Sequence, residues 1–475
     1  MIALALLLAA TFTRPLERVN TMDPARSQSV YDARAIALVY KSPLAVDYAA
    51  RPYRLVPGCC ELPVVSQDGL VYTLKARRVS ARAVVRAFER LRDPEIVSPN
   101  SWIMKDVETV RALDAGTVEL RLRRRVGYFA WLLAMPSLGV IGEDGEGTGP
   151  YRLERWRKNH EMTFVRRHPT AGSFDRIRYL VVDDVSTQWL MFLRGEVDFL
   201  GEISRDNWDS VIRSDGTLDP SLAAAGVTLH SMPALEVSYL GVNMRDAVLG
   251  GNRKLRQALN AAFDYPAWER FYNARTVMCD GPVPPGIAGR LATPFPYAYD
   301  PDKARRLLAE AGYPGGIDPS DGRRLALTLS IGRATQESRE AGELLVSFYE
   351  RIGVKLELRF MTWDSSLRAV NEGRVQLYRM SWLGDYPDAQ NFLQLFHSAN
   401  ACPGVNHSCY ANPEFDAAYE REDWRRCQEI VREDCPWVFT HFSRSFSLVR
   451  PTVENYVPSD FPYGGEQYFR AKGAK

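Results

Sequence analysis

The acidic residue best placed to hold a ligand is Asp385, which directly follows a predicted strand over residues 375–382. Open α/β sheets bind ligands outside the carboxyl ends of their strands, so this position places Asp385 at a binding edge. Trp382 and Tyr386 flank the acid, and Pro387 fixes the next turn, which would set the carboxylate between aromatic walls. The expected chemistry is binding of a cationic group, such as a solute's ammonium. The alternative is that Asp385 caps the loop or pairs with an arginine of its own chain.

The sequence lacks the motifs of nucleophilic hydrolases, phosphate-binding loops and zinc enzymes. Residues 160–164 (HEMTF) have no second histidine for a zinc protease, and Pro150 stands where a dinucleotide-binding turn needs its third glycine. We therefore predict a protein that is not an enzyme, with no catalytic residues, no cofactor and no metal. One enzymatic alternative stays open, a hydrolase that uses Asp385 and Asp388 as paired carboxylates.

Composition and charge predict a soluble protein with more than one lobe. The 475 residues are too many for one ordinary core, and 46% apolar and 25% charged residues are average for soluble domains. The 60 Lys and Arg against 58 Asp and Glu leave a formal charge of +2, so the chain has no long-range attraction for nucleic acid. We expect a monomer that does not bind nucleic acid.

The amino terminus and the cysteines indicate export. Residues 1–12 (MIALALLLAATF) form an apolar run of signal-peptide length that is too short to span a bilayer. We predict a signal peptide over residues 1–14, the alternative being the start of an N-terminal strand. Cys402 and Cys409 flank a short loop, a spacing that suits a local disulfide in an exported protein, although two free thiols fit as well. The pairing of the remaining cysteines stays open; they are Cys59, Cys60, Cys279, Cys427 and Cys435.

The elements that position Asp385 are predicted from alternating strand and helix patterns. Strands are expected over 325–332, 354–361 and 375–382, with helices over 336–351 and from about 364 to 370 between them. Asp364 is the expected cap of the second helix, and Gly353 and Gly373 are the expected stops. This βαβαβ order predicts a parallel sheet, and the chain is α/β nearly throughout.

Six blocks of the sequence, in this order, resemble the peptide/nickel-type (family 5) extracytoplasmic solute-binding proteins of ABC importers, the family of dipeptide- and oligopeptide-binding proteins. The blocks are DGLVYTLKARRVSARAVVRAFERLRDP (68–94), GTGPYRLERWRKNHEMTFVRR (147–167), YLGVNMRDAVLGGNRKLRQALNAAFD (239–264), YDPDKARRLLAEAGYP (299–314), SWLGDYPDAQNFLQLF (381–396) and CPGVNHSCYANPEFDAAYE (402–420). The blocks lie between residues 68 and 420, and the resemblance covers residues 30–470.

The resemblance implies a two-lobed periplasmic-binding-protein-like fold of type II, in its three-domain variant, with a hinge and a cleft between the lobes. Lobe I would comprise residues 20–62, 150–242 and 445–475, and lobe II residues 246–444. A small extra domain would occupy residues 63–149, shortened here because the sequence passes straight from Arg77 to Ser80. Chain crossings near Val242 and Phe442 would form the hinge.

The resemblance also implies a function. It predicts an extracytoplasmic, for example periplasmic, protein that captures short peptides by lobe closure and delivers them to an ABC permease in the cytoplasmic membrane. Asp385 would receive the peptide's α-amino group, with Trp382 as a wall of the pocket, and the family's short disulfide supports pairing of Cys402 with Cys409. The alternative within the family is another solute, such as a nickel complex, haem, an oligosaccharide or an opine.

Overall fold

The computed structural model describes residues 10–16, 18–168, 170, 172–213, 215–461 and 463–473. The chain divides into two units. Unit 1 holds the residues up to Met232 and those from Ser445 onward, and unit 2 runs from Pro233 to Arg444. The predicted crossing points, Val242 and Phe442, both lie within unit 2.

The strands are β1 (Thr11–Leu16), β2 (Leu44–Val46), β3 (Leu55–Pro57), β4 (Val64–Val65), β5 (Val71–Lys75), β6 (Val107–Ala112), β7 (Thr117–Leu122), β8 (Tyr151–Arg157), β9 (Glu161–Arg166), β10 (Arg176–Val181), β11 (Phe199–Leu200), β12 (Thr228–Val242), β13 (Thr276–Met278), β14 (Ala326–Ile331), β15 (Lys355–Phe360), β16 (Leu377–Leu383), β17 (Trp437–Val449), β18 (Val453–Glu454) and β19 (Arg470–Ala471).

The α-helices are α1 (Val30–Val39), α2 (Ala81–Arg92), α3 (Phe129–Leu132), α4 (Val185–Arg194), α5 (Arg205–Val211), α6 (Pro220–Ala224), α7 (Arg253–Ala261), α8 (Tyr265–Phe271), α9 (Pro301–Glu310), α10 (Gln336–Glu350), α11 (Trp363–Asn371), α12 (Ala389–Leu393), α13 (Pro413–Glu420) and α14 (Trp424–Asp434).

In the described part of the chain, unit 1 holds two four-stranded sheets besides the two-stranded pairs β2-β3 and β18-β19. The first has the strand order β1-β10-β9-β8, with β1 parallel to β10 and the other neighbours antiparallel. The second is antiparallel, with the order β4-β5-β7-β6. Its strands all fall within residues 64–122, inside the segment where the sequence predicts a small extra domain.

Strand β1 overlaps the end of the predicted signal peptide. Thr11–Leu16 pairs along its whole length with Arg176–Val181, and Phe12 is fully buried against the rings of Phe174, Phe199 and Phe469. A signal peptide ending at residue 14 would remove four of the six residues of this core strand, which favours the alternative, the start of an N-terminal strand, for residues 11–14. Residues 1–9 lie outside the described part of the chain.

In unit 2 the predicted βαβαβ segment is confirmed, with small shifts at the element ends. Strand β14 lies between β15 and β16 and runs parallel to both. Strand β12 pairs antiparallel with the other side of β16, so the sheet is mixed. The predicted cap of α11 is wrong, because Thr362 holds the cap position and its hydroxyl accepts the N–H of Ser365, while Asp364 lies in the first turn.

The position of β16 against β12 depends on one glycine. Gly241 lies directly opposite Tyr378, and the phenol ring crosses it so closely that a Cβ on residue 241 would be 2.0 Å from the ring Cζ. The Tyr378 hydroxyl lies 3.0 Å from the hydroxyl of Ser408 within the core. Only glycine leaves room for this ring, which fixes β16 at the centre of the unit.

Cys402 and Cys409 are joined by a disulfide. The other five cysteines are buried free thiols. Within the described ranges, no helix is both long enough and apolar enough to cross a membrane.

Replacing Phe12 by alanine tests whether β1 belongs to the folded core. Loss of a fully buried phenylalanine leaves a cavity and should lower the free energy of unfolding by about 3 to 5 kcal/mol. Urea denaturation of the exported protein measures the change, and Thr11→Ala, at an exposed position of the same strand, is the control. A Phe12→Ala variant as stable as the wild type would mean that β1 is not part of the folded protein.

Candidate functional site

The candidate site lies at the edge of the unit 2 sheet where β14 and β16 end. Because these strands are parallel, the residues that follow them meet at one edge. Strand β16 ends at Leu383, whose side chain is 51% exposed, and Asp385 comes two residues later. Arg333 follows β14 at the same edge and is exposed.

Gly384 lets the chain turn out of the sheet. Its N–H donates to the carbonyl of Leu235 at 2.8 Å, one hydrogen bond beyond the end of β16. A Cβ on residue 384 would lie 2.8 Å from the ring of Phe392 in α12. The missing side chain therefore allows α12 to pack directly behind Asp385.

Asp385 is exposed to solvent on one side, and protein surrounds its carboxyl on the others. This partial burial raises the pKa of the carboxyl above its usual value, and a hydrogen bond from Asn391 opposes the rise. Among the contacts of the described residues, no arginine, lysine or histidine lies within ion-pair distance of this carboxylate. Pairing with an arginine of its own chain, one of the alternatives that the sequence left open, therefore does not occur in this part of the structure.

Asn391 is a residue of the site that the sequence reasoning missed. Its side chain is fully buried in α12, and its Oδ1 accepts both the indole N–H of Trp382 at 3.0 Å and the backbone N–H of Asp385 at 3.1 Å. Its Nδ2 lies 3.4 Å from Oδ2 of Asp385 and donates to it. The only sequence signal was its place six residues after Asp385 in a segment where no helix was predicted.

The two predicted aromatic neighbours have different surroundings. Trp382 is half-buried, and its indole is fixed beside Asp385 through Asn391. Tyr386 is only 3% exposed, and its hydroxyl donates to Oε1 of Gln390 inside the unit. Its predicted contact with a ligand stays a prediction, but this burial favours a supporting role beneath the site.

Asp388 has a structural role in the same loop. Its carboxylate caps α12 by accepting the N–H of Gln390 at 2.8 Å. The capping position accounts for this carboxylate through local folding. The geometry therefore gives no support to Asp385 and Asp388 as a catalytic pair.

The match to known proteins decides the family. The model for "Bacterial extracellular solute-binding proteins, family 5 Middle" matches residues 54–402, most of the chain. The chain belongs to the family 5 bacterial extracellular solute-binding proteins. The resemblance predicted from the six sequence blocks is thereby confirmed.

Individual relatives extend the match over nearly the whole chain. The dipeptide-binding protein of Escherichia coli (strain K12) is 24% identical over 496 residues, which cover 91% of this chain and 88% of the relative. Heme-binding protein A of Haemophilus influenzae is 25% identical over 468 residues, which cover 86% of this chain and 82% of the relative. The structure of HbpA2 from Haemophilus parasuis superposes with a TM-score of 0.83 at 21% identity and covers 97% of this chain and all of that chain.

These matches confirm the predicted α/β, periplasmic-binding-protein-like fold and the role of an extracytoplasmic solute-binding protein. The domain boundaries and the role of each site residue stay predictions. The site in unit 2 offers a negative charge, an indole and the exposed side chain of Leu383 to a solute, and Arg333 adds a cation at the same edge.

Replacing Tyr386 by phenylalanine tests its supporting role. The change leaves Oε1 of Gln390 without this donor, so the free energy of unfolding should fall by about 1 to 3 kcal/mol in urea denaturation. Tyr468→Phe, at a ring that is 38% exposed, is the matched control and should change it by less than about 0.5 kcal/mol. Equal stabilities of both variants and the wild type would contradict the buried hydrogen bond.

Proposed function

We propose that this protein captures short peptides with a free amino terminus, holds the amine at Asp385 and delivers the peptide to an ABC permease. It performs no chemical step on its cargo. The observation that carries the proposal is the carboxylate of Asp385, which is oriented by Asn391 and has no cationic partner among the contacts of the described residues.

An ammonium group suits this carboxylate on physical grounds. A carboxylate that is partly removed from water is stabilised by an opposite charge within hydrogen-bond distance. The bound amine would supply that charge, and the half-buried ring of Trp382 would lie beside the first residue of the peptide. Capture by closure of the two lobes, which the family resemblance implies, stays a prediction.

Arg333 is the cation that we assign to the carboxylate end of the peptide. In the parallel pairing, Ile331 lies beside Arg379, so Arg333 is level with Ser381, four residues before Asp385. Four residues of a strand span about 13 Å, which is an upper limit for the separation along the strand because the chain turns out of the sheet at Gly384. An extended peptide covers at most about 3.6 Å per residue. When the length of the arginine side chain is included, a peptide of about two to four residues can reach from Asp385 to Arg333.

The relatives favour peptides and supply the alternative. The Escherichia coli relative is named for dipeptides, and it aligns over 91% of this chain. The Haemophilus influenzae relative is named for haem, which makes a haem-like solute the second candidate. Haem carries carboxylates, which the negative charge of Asp385 would repel, so the site favours an amine.

The variant Asp385→Asn tests the amine site. Removing the charge should weaken binding of the dipeptide Ala-Phe by about 3 kcal/mol, roughly a hundredfold, because one partner of the ion pair is lost. The same variant should bind Ala-Phe and its N-acetyl derivative equally, whereas the wild type prefers the free amine. Isothermal titration calorimetry measures both peptides. Asp302→Asn, at an exposed acid of α9, is the control. Undiminished affinity of Asp385→Asn for Ala-Phe would refute the role.

The variant Arg333→Gln tests the carboxylate end. It should weaken binding of Ala-Phe about tenfold and leave the C-terminal amide of the same peptide unaffected, since the amide carries no charge for Arg333 to bind. Arg323→Gln, at an exposed arginine that precedes β14, is the control. If Ala-Phe and its C-terminal amide lose affinity equally in Arg333→Gln, Arg333 does not contact the carboxylate of the peptide.

A further inference from the structure

The amide of Asn391 is oriented by its neighbours in only one way. An indole N–H and a backbone N–H are donors without acceptor capacity, so both Trp382 and Asp385 must face the carbonyl oxygen of the amide. The NH₂ group of Asn391 then points to the carboxylate of Asp385. The three groups form one hydrogen-bonded unit, and a flip of the amide would lose all three hydrogen bonds.

The helix that carries Asn391 is anchored from both ends. Asp388 caps its start, and Gln394 beyond its last residue donates to the backbone carbonyl of Asn391 at 3.1 Å. All five residues of α12 are buried. The amide therefore has a fixed position before any solute binds.

The groups around Asp385 show which of them favours the ionised form of its carboxyl. Strand β12 brings Glu236 opposite Leu383, the loop brings Asp388 three residues after Asp385, and Arg333 adds a cation at the same edge. Tyr386 points into the unit and donates to Gln390. Among the contacts of the described residues, the hydrogen bond from Asn391 is the one that favours the ionised form of the Asp385 carboxyl.

We propose that Asn391 is the positioning residue of the amine site: its buried amide holds the indole of Trp382 and the carboxylate of Asp385 in one geometry and keeps that carboxylate charged for the amine. The inference rests on the proposed function, because it concerns how the same site takes its solute. Asn391 itself does not touch the solute.

The pH dependence of binding separates this role from a purely structural one. The amine binds the ionised carboxylate, so affinity is full above the pKa of Asp385 and falls as the pH drops through it. Burial raises that pKa and Asn391 lowers it. Removal of the Asn391 amide must therefore raise the pH at which the affinity falls.

The test measures the affinity for Ala-Phe between pH 4 and 8 for two variants. Asn391→Ala should lose about tenfold in affinity at pH 7.5 and show the fall at higher pH than the wild type. Asn391→Asp keeps an acceptor for the indole N–H of Trp382 and the backbone N–H of Asp385, but it cannot donate and it adds a like charge. The affinity of this variant should therefore fall at a still higher pH. If Asn391→Ala does not fold, Asn391→Asp alone decides. Asn243→Ala is the control, since Asn243 is a buried amide that holds backbone carbonyls at the other end of β16.

The outcomes distinguish the two proposals. If the wild type shows no preference for the free amine over the acetylated peptide, the proposed function itself fails. If that preference holds and both Asn391 variants keep the wild-type pH profile, only the role of Asn391 is overturned. Movement of the profile in the Asn391 variants but not in Asn243→Ala supports the inference.

Discussion

The site depends on a carboxylate that the protein places at a sheet edge without giving it a cation in the described part of the chain. Partial burial disfavours the charge of Asp385, and one hydrogen bond from Asn391 counteracts it. Such an arrangement adds little to the stability of the empty protein. It becomes favourable when a solute supplies the opposite charge, which is what a binding protein requires.

The rest of unit 2 keeps this carboxylate in place. Gly241 lets the ring of Tyr378 cross β12 and sets β16 between β12 and β14. Gly384 lets α12 pack against the end of that strand through Phe392, and Asp388 starts the helix. Two glycines and one cap thus bring Asn391 behind Asp385, so the precision of the site comes from rigid elements rather than from the loop itself.

The sequence predicted the elements but not all of their contacts. The βαβαβ order and the place of Asp385 after β16 followed from periodicity and glycine stops. Asn391 was missed because its role depends on α12, a helix too short for a periodic pattern. Tyr386 was expected to flank Asp385 as a wall of the ligand site, because periodicity does not say which way the side chain of a turn residue points. The predicted signal peptide overlaps β1 at residues 11–14 because composition marks the apolar run over residues 1–12 but not where the first strand begins.

The most direct test of the central claim is native mass spectrometry of the protein purified from its own compartment without refolding. The account predicts that the wild type carries peptides of about two to four residues with free amino termini, and that Asp385→Asn is recovered empty. A cargo without a basic amine, or the same peptides retained equally by Asp385→Asn, would contradict it.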